Sequence, residues 1–112
     1  MTDQNASLPP VGATAVIFLS QRTDEDAQGY DEAASVMDAL AATQPGYLGI
    51  DSLRDEDGFG ITISYWADDA SARAWRGNAE HAAIREIGRE RWYAHYRLMV
   101  TQVGRAYAWS KR

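Results

Sequence analysis

The chain has 112 residues and a net charge of −5 at pH 7, and these numbers exclude several classes of protein. The length suits a single domain with its own core, and the acidic balance disfavours binding to nucleic-acid phosphates. The absence of cysteine excludes disulfides and thiolate chemistry. No apolar run approaches the ~20 residues that span a bilayer, and the N-terminus lacks the features of a secretory signal. We therefore expect a cytoplasmic protein that binds neither membranes nor nucleic acid.

The first third of the chain predicts a tail, a strand and a helix. Residues 1–12 are polar with a Pro-Pro pair, which is typical of a flexible tail ahead of a single domain at 13–112. Residues 13–23 are rich in β-branched and apolar side chains and predict a strand. Apolar residues then recur at three-and-four spacing up to about Thr43, which predicts an amphipathic helix. The sequence QPG at 44–46 ends that helix.

The middle of the chain predicts a hairpin and an interrupted helix. Residues 47–66 alternate in polarity, and Asp57-Gly58 supplies the turn because glycine tolerates the positive φ that such turns require. A second helix opens at 67–75, where acidic residues favour a helix start. Gly77 interrupts it, and Asn78 is placed to cap a further helical segment that stops at Gly88.

The end of the chain predicts a charged, aromatic connector over 89–96 and a last strand over 97–109. The resulting order of strand, helix, strand, strand, helix, strand predicts an α+β, ferredoxin-like βαββαβ fold with a four-stranded antiparallel sheet. Both helices would cover one face of that sheet. Because the strands are apolar on both sides, the other face also needs a cover, and a second copy of the chain in a two-fold homodimer supplies it.

Five short stretches carry a resemblance to a known family. They are QPGYLG after the first helix, the strand ending in SYW, AW nine residues later, AEH, and GRERWY. Together they resemble the antibiotic biosynthesis monooxygenase (ABM) domain family over residues 13–109, and within it the haem-degrading-monooxygenase-like group. The resemblance implies a dimeric α+β barrel with one pocket per protomer between sheet and helices. It implies no flavin and no tightly held metal in the quinone-forming branch of the family. In the haem-degrading branch, it implies that haem is both cofactor and substrate.

The haem-degrading group implies three functional positions: an asparagine on the first strand, a tryptophan on the second helix and a histidine ten residues later. Trp75 matches the tryptophan by its nine-residue distance from Trp66. Arg85 stands where the histidine is expected, and His81 lies four residues earlier, about one helical turn away. The first strand has no asparagine, and Phe18 or Ser20 occupies that neighbourhood. Haem binding, with His81 as the iron ligand, is therefore the alternative.

His81 and Trp75 are the candidate catalytic residues. If one unbroken helix runs over 69–88, His81 points away from the stripe of Trp75 and lies on the surface. If the helix restarts at Asn78, His81 can reach the pocket. A neutral imidazole there could take a proton from a phenolic substrate near neutral pH, and the resulting anion is electron-rich enough to react with oxygen.

Six further residues are expected to line the substrate pocket. Arg85 could pair with a substrate carboxylate, although a surface ion pair is the alternative. Aromatic residues in the connector are expected to close the pocket or a dimer edge. The six are Phe18, Trp66, Asn78, Arg85, Trp92 and Tyr96.

Three functions remain open on these observations. The first is a cofactor-independent monooxygenase that acts on a small aromatic or polyketide-like substrate in an apolar pocket. The second is haem binding or degradation through His81. The third is a non-catalytic dimeric module that binds an apolar small molecule. The two histidines lie fourteen residues apart, so no zinc site is expected, and the sequence contains no nucleotide-binding loop.

Overall fold

The structure is a computed structural model that describes residues 2–4 and 7–111. These residues form both strands and helices. No helix within those residues is long and apolar enough to cross a membrane. The elements in chain order are β1 (Thr2–Gln4), β2 (Thr14–Arg22), α1 (Ala27–Ala42), β3 (Tyr47–Arg54), β4 (Phe59–Trp66), α2 (Asp69–Arg76), α3 (Ala79–Ile87), a π-helical turn (Gly88–Trp92) and β5 (Tyr93–Gln102).

The strands form one antiparallel sheet in the order β1-β3-β4-β2-β5. Strands β2 to β5 have the connections and order of the ferredoxin-like fold, so the predicted α+β βαββαβ architecture is confirmed. The hairpin of β3 and β4 turns at Gly58, whose φ of 89° is in the left-handed region that glycine tolerates.

One strand was not predicted. Residues Thr2–Gln4 pair with Asp51–Leu53 at the edge of the sheet, inside the segment expected to be a flexible tail. The sequence TDQ carries no apolar alternation, so only the neighbouring strand edge identifies it as a strand. Met1, Asn5 and Ala6 of that predicted tail, and Arg112 at the other end, lie outside the described residues.

The predicted bounds of the last strand were wrong at both ends. The chain forms a π-helical turn over Gly88–Trp92 where a connector was expected, and β5 already begins at Tyr93. The strand ends at Gln102, and residues 103–111 have no regular secondary structure. The error has a physical cause: Tyr93 and Tyr96 are aromatic because they pack inside the fold, next to Phe18 of β2.

The break between the second and third helices is confirmed. Helix α2 ends at Arg76, and the side chain of Asn78 accepts hydrogen bonds from the backbone N–H groups of Glu80 and His81 at 3.0 and 3.2 Å. An N-cap of this kind satisfies donors that the first helical turn leaves free. The restart rotates α3 relative to α2, so His81 is not confined to the register of a continuous helix.

The core lies on the helix side of the sheet, around Trp66. Trp66 is fully buried and packs with Ala41 of α1 and Ala72 of α2, while Val16 and Tyr47 pack against this group. Because directly paired residues share a sheet face, the even-numbered residues of β2 face the helices. The odd-numbered residues of β2 lie on the opposite face, which no helix covers.

Candidate functional site

A stack of aromatic rings connects the sheet to the helices, and we call it the Trp75 stack. The ring of Trp75 lies nearly parallel to that of Trp66, with centroids 6.1 Å apart. The imidazole of His81 stacks on Trp75 at 4.3 Å with an interplanar angle of 16°. Tyr47 completes the stack with an edge contact to Trp66 at 5.6 Å. Two residues predicted as catalytic are thus in direct contact.

The hydrogen bond of His81 decides which ring nitrogen is available. Nδ1 lies 3.0 Å from the backbone carbonyl oxygen of Trp75. Because a carbonyl can only accept, Nδ1 carries the proton and donates it, which leaves the lone pair on Nε2 in the neutral ring. Burial lowers the pKa of His81 below its usual value, and the charges of Arg85 and Arg76 lower this pKa further, against the raising effect of the Trp75 carbonyl.

Arg85 presents a buried donor without an acceptor. Its Nη1 donates to the backbone carbonyl of Arg76 at 3.2 Å. Its Nε is buried and has no hydrogen-bond partner among the described residues. A buried N–H without a partner is unfavourable.

A second group of rings, which we call the Tyr30 cluster, lies where β2, β5 and α1 meet. Its members contact one another at centroid distances of 5.2 to 5.9 Å, mostly edge to face, the arrangement that aromatic pairs prefer. The π-helical turn places Trp92 under α1, where its indole N–H donates to Asp26 at 3.2 Å. The cluster consists of Phe18, Tyr30, Trp92, Tyr93 and Tyr96.

Two guanidinium groups contact Tyr30, that of Arg54 at its hydroxyl and that of Arg22 at its ring. Nη2 of Arg54 donates to the Tyr30 hydroxyl oxygen and to the Ser20 hydroxyl, both at 2.9 Å. The guanidinium carbon of Arg22 lies 3.9 Å from the centroid of the Tyr30 ring, a cation–π contact. The Tyr30 hydroxyl also meets that of Tyr93, whose pKa burial raises far above its usual value. Tyr93 therefore stays a neutral phenol, available as a hydrogen-bond donor.

The sequence did not indicate Tyr30, Arg54 or Ser20 as members of this polar and aromatic group, whereas Tyr93 belongs to the connector whose aromatic residues were expected to close a pocket or a dimer edge. Tyr30 fits only the three-and-four spacing of a helix, and no motif in the sequence includes Arg54. An available signal was the density of aromatic residues around Trp92 and Tyr93, which is high for a surface connector.

Between the two groups the helix side of the sheet is incompletely covered. Val16, Phe18, Thr62 and Ser64 point toward the helices, yet each is only half-buried. The hydroxyls of Ser52 and Thr62 share a hydrogen bond of 2.8 Å. Small and hydroxylated side chains fill less space than large apolar ones. The centre of this face therefore remains accessible beneath α1.

The structure separates the predicted pocket residues instead of gathering them around one cavity. Phe18, Trp92 and Tyr96 belong to the Tyr30 cluster, whereas Arg85 lies next to the Trp75 stack. Trp66 is fully buried, so it packs and has no surface for a ligand. The side chain of Asn78 is occupied as the cap of α3. Whether the remaining residues bind substrate stays a prediction.

Two small cavities lie elsewhere on the surface. One of about 260 Å³ lies between α2 and the loop before β3, lined by Trp75, Pro45, Ser71 and Asp68 among others. The other, of about 190 Å³, lies on the open face of the sheet. Both are smaller than the roughly 300–1,000 Å³ usual for ligand pockets. Within the described residues, no three His, Asp or Glu side chains converge as a metal site.

The chain matches a protein-family model over most of its length. The family model described as antibiotic biosynthesis monooxygenase matches residues 13–87. The chain is 44% identical over 105 residues to YqjZ of Bacillus subtilis (strain 168), an uncharacterised protein, covering 94% of this chain and 91% of that one.

Solved structures share the fold at low sequence identity. SnoaB of Streptomyces nogalater, described as a cofactor-independent oxygenase, superimposes with a TM-score of 0.71 at 15% identity, covering 81% of this chain and 92% of SnoaB. A conserved protein of Methanosarcina mazei gives 0.74 at 12% identity, covering 82% and 93%. At these identities the likeness shows the fold alone.

Proposed function

Since the chain belongs to the antibiotic biosynthesis monooxygenase family, we propose that it is a cofactor-independent monooxygenase acting on a small phenolic substrate of aromatic or polyketide-like type. The substrate lies on the helix side of the sheet, over the half-buried residues Val16, Phe18 and Thr62. The Trp75 stack borders it on one side and the Tyr30 cluster on the other. The protein acts in the cytoplasm.

The observation that carries this proposal is the environment of His81. Its Nδ1–H is held by a backbone carbonyl, its Nε2 keeps the lone pair, and its lowered pKa keeps the ring neutral at pH 7. This is the protonation state of a general base. The charge of Arg85, which lies close enough to lower the pKa of His81, supports the same role because it would stabilise the phenolate that proton transfer creates.

The chemistry balances without an external reductant. His81 takes the phenolic proton, the phenolate transfers an electron to O₂, and the two radicals join at the ring carbon para to the oxygen. Protonation of the peroxide by His81 and loss of water convert that C–H carbon to a carbonyl. A phenol and O₂ thus give a quinone and H₂O, with four electrons passing from the ring to oxygen. SnoaB, which has the same fold, is described as a cofactor-independent oxygenase, and this is compatible with the scheme.

Haem does not fit the residues present. A haem-degrading site would need an asparagine on β2, which has none, and a histidine at position 85, which is Arg85. His81 has a free Nε2, but its ring stacks on Trp75 at 4.3 Å.

Oxygen uptake tests the proposal. The purified protein is screened against phenols and hydroquinones with an oxygen electrode, and quinone formation is followed by absorbance. With an accepted substrate, we expect His81→Ala to lower kcat by roughly 10²–10⁴-fold, the usual contribution of a general base. His95→Ala is the matched control because it removes the other histidine, on β5, and should leave kcat unchanged.

Two outcomes would reject the mechanism. Normal turnover by His81→Ala would show that His81 is not the general base. Binding of a phenol without oxygen uptake, retained in His81→Ala, would favour a non-catalytic module for apolar molecules. A saturable Soret shift on haem titration, lost in His81→Ala, would instead support the haem alternative.

We propose in addition that the protein is a homodimer, formed through the open face of the sheet. Leu53, Ile61 and Met99 on that face are 55%, 38% and 44% exposed. A row of exposed apolar side chains across a sheet is typical of a protein interface. Light scattering should give a mass of twice 12.4 kDa, and a single-chain mass would reject the dimer.

A further inference from the structure

The last residues of the chain form an arm that leaves the domain. The backbone N–H of Val103 still donates to Ala13 at 2.9 Å, but residues 104–111 have no regular secondary structure. Within them Tyr107 is 87% exposed and Trp109 is 80% exposed. Two large aromatic side chains so close together in solvent are unusual, because each could bury 150–250 Å². The C-terminal arm, residues 104–111, therefore presents an unburied apolar surface.

The open face of the sheet carries a groove that is complementary to this arm. The groove is the 190 Å³ cavity over β3 and β4, where the apolar side chains of Leu53, Ile61 and Ile63 surround the carboxylate of Asp51. Asp51 accepts a hydrogen bond from the Tyr65 hydroxyl at 3.1 Å, which fixes its position. An apolar slot with one carboxylate suits an aromatic side chain that is flanked by cations.

Acidic and basic residues are unevenly distributed along the chain, and this distribution favours the same contact. All sixteen acidic residues lie within residues 1–90, whereas residues 91–112 carry five of the eleven basic residues and no acidic one. Arg105 and Lys111 flank the two aromatic residues of the arm. The arm is therefore attracted to the acidic body of another copy. An anionic lipid surface or nucleic acid would attract the arm but repel that body.

We infer that the C-terminal arm of one protomer docks in the open-face groove of a second copy, with Tyr107 or Trp109 against Leu53 and Ile61, and a basic residue of the arm near Asp51. The inference rests on the homodimer proposed above. The arm is eight residues long and reaches about 26 Å when extended, which exceeds the roughly 10 Å between two sheets packed face to face. In a two-fold dimer, each protomer inserts its own arm into its partner's groove and binds the partner's arm in its own groove.

A double-mutant cycle on dimer dissociation tests the contact. Sedimentation equilibrium is measured for the wild type, Trp109→Ala, Leu53→Ala and the double variant of the full chain. Both residues are exposed in the single chain, so neither substitution should impair folding. We expect each single change to raise the dimer dissociation constant about tenfold, and the double change to raise it at least threefold less than the product of the two. Val36→Ala, at an exposed site on α1, should have no effect.

Acrylamide quenching gives a second readout. The fluorescence of Trp109, taken as the difference between the wild type and Trp109→Phe, should be protected in the dimer and become quenchable on dilution. A wild-type monomer at all concentrations would overturn both the homodimer and the arm. A stable dimer in which Trp109 is freely quenched, or in which the two substitutions are additive, would overturn the arm alone. A shift of Trp109 emission seen only with phosphatidylserine vesicles would also overturn it.

Discussion

At the scale of single residues, His81 shows how a local contact sets chemical behaviour. Stacking on Trp75 removes much of its ring from water, and the carbonyl of Trp75 determines the tautomer. The neighbouring guanidinium groups of Arg85 and Arg76 oppose a further positive charge. These effects together favour a neutral imidazole beside the indole of Trp75, which is the state that the proposed general base needs.

The lowered pKa of His81 predicts a dependence of stability on pH. Because the folded-state pKa lies below the unfolded value of about 6.5, the unfolded chain binds more protons between these two values. The free energy of unfolding therefore falls as pH drops through this window and the loss levels off below the folded-state pKa. Urea unfolding at pH 7.5, 6.5 and 5.5 should show a larger loss for the wild type than for His81→Phe, which keeps a stacked ring but cannot titrate.

Proton NMR measures the same shift directly. The imidazole signal of His81, assigned by its loss in His81→Phe, should titrate with a midpoint below 6.5. A midpoint at or above the ordinary value, with equal pH dependence of the two proteins, would contradict the proposed neutral base.

At the scale of secondary-structure elements, the cap of α3 holds His81 in place. Asn78→Ala removes the acceptor of two N–H groups in the first turn. It should lower the free energy of unfolding by about 1 kcal/mol and loosen the stacked ring. The NMR midpoint of His81 should then move toward its ordinary value. Asn78→Ser keeps an uncharged acceptor and should restore both properties. Asp68→Ala, which removes the cap of α2, should leave the His81 midpoint unchanged.

Two glycines that end helices should respond oppositely to alanine. A Cβ at Gly88 would lie 2.9 Å from the Tyr93 ring, within the packed Tyr30 cluster. We expect Gly88→Ala to cost roughly 1–3 kcal/mol of stability because the ring must move. At Gly77 the nearest atoms would lie 3.6 Å away or more, with a helical φ of −81°. Gly77→Ala should be neutral or stabilising by about 0.5 kcal/mol. Thermal and urea unfolding of both variants measure these changes in the free energy of unfolding. Equal changes in the two variants would contradict the packing of Tyr93 against Gly88.

The elements themselves were largely predictable because their signals are local. Helix spacing, strand alternation and the punctuation at Pro45, Gly58 and Gly77 need no knowledge of distant contacts. Strand β1 and the start of β5 escaped because their strand character comes from pairing with β3 and β2. The site was less predictable for the same reason. Arg54 meets Tyr30 across 24 residues of sequence, and no spacing rule indicates such a contact.

At the scale of the whole molecule, the sheet is covered by helices on one side only. Ile17, Leu19 and Ile63 of the open face are half-buried even in the single chain, and more exposed apolar residues surround them. A face of this kind is unfavourable in water and favours association. A stable dimer needs roughly 800 Å² from each partner, which the sheet face and the C-terminal arm would supply together in the proposed dimer.

Two variants that each add one negative charge, on opposite sides of the sheet, distinguish a dimer formed through the open face from a general effect of surface charge. Met99 lies on the edge strand β5, where it pairs with Ile17 and points away from the helices, and it is 44% exposed. Met99→Glu should therefore fold but place an unpaired carboxylate inside the proposed dimer interface. We expect it to raise the dimer dissociation constant at least 100-fold in sedimentation equilibrium. Val36→Glu, at a 53% exposed site on the outer side of α1, adds the same charge and should change nothing. Equal behaviour of the two variants would place the interface elsewhere, because only Met99 lies where two sheets would meet.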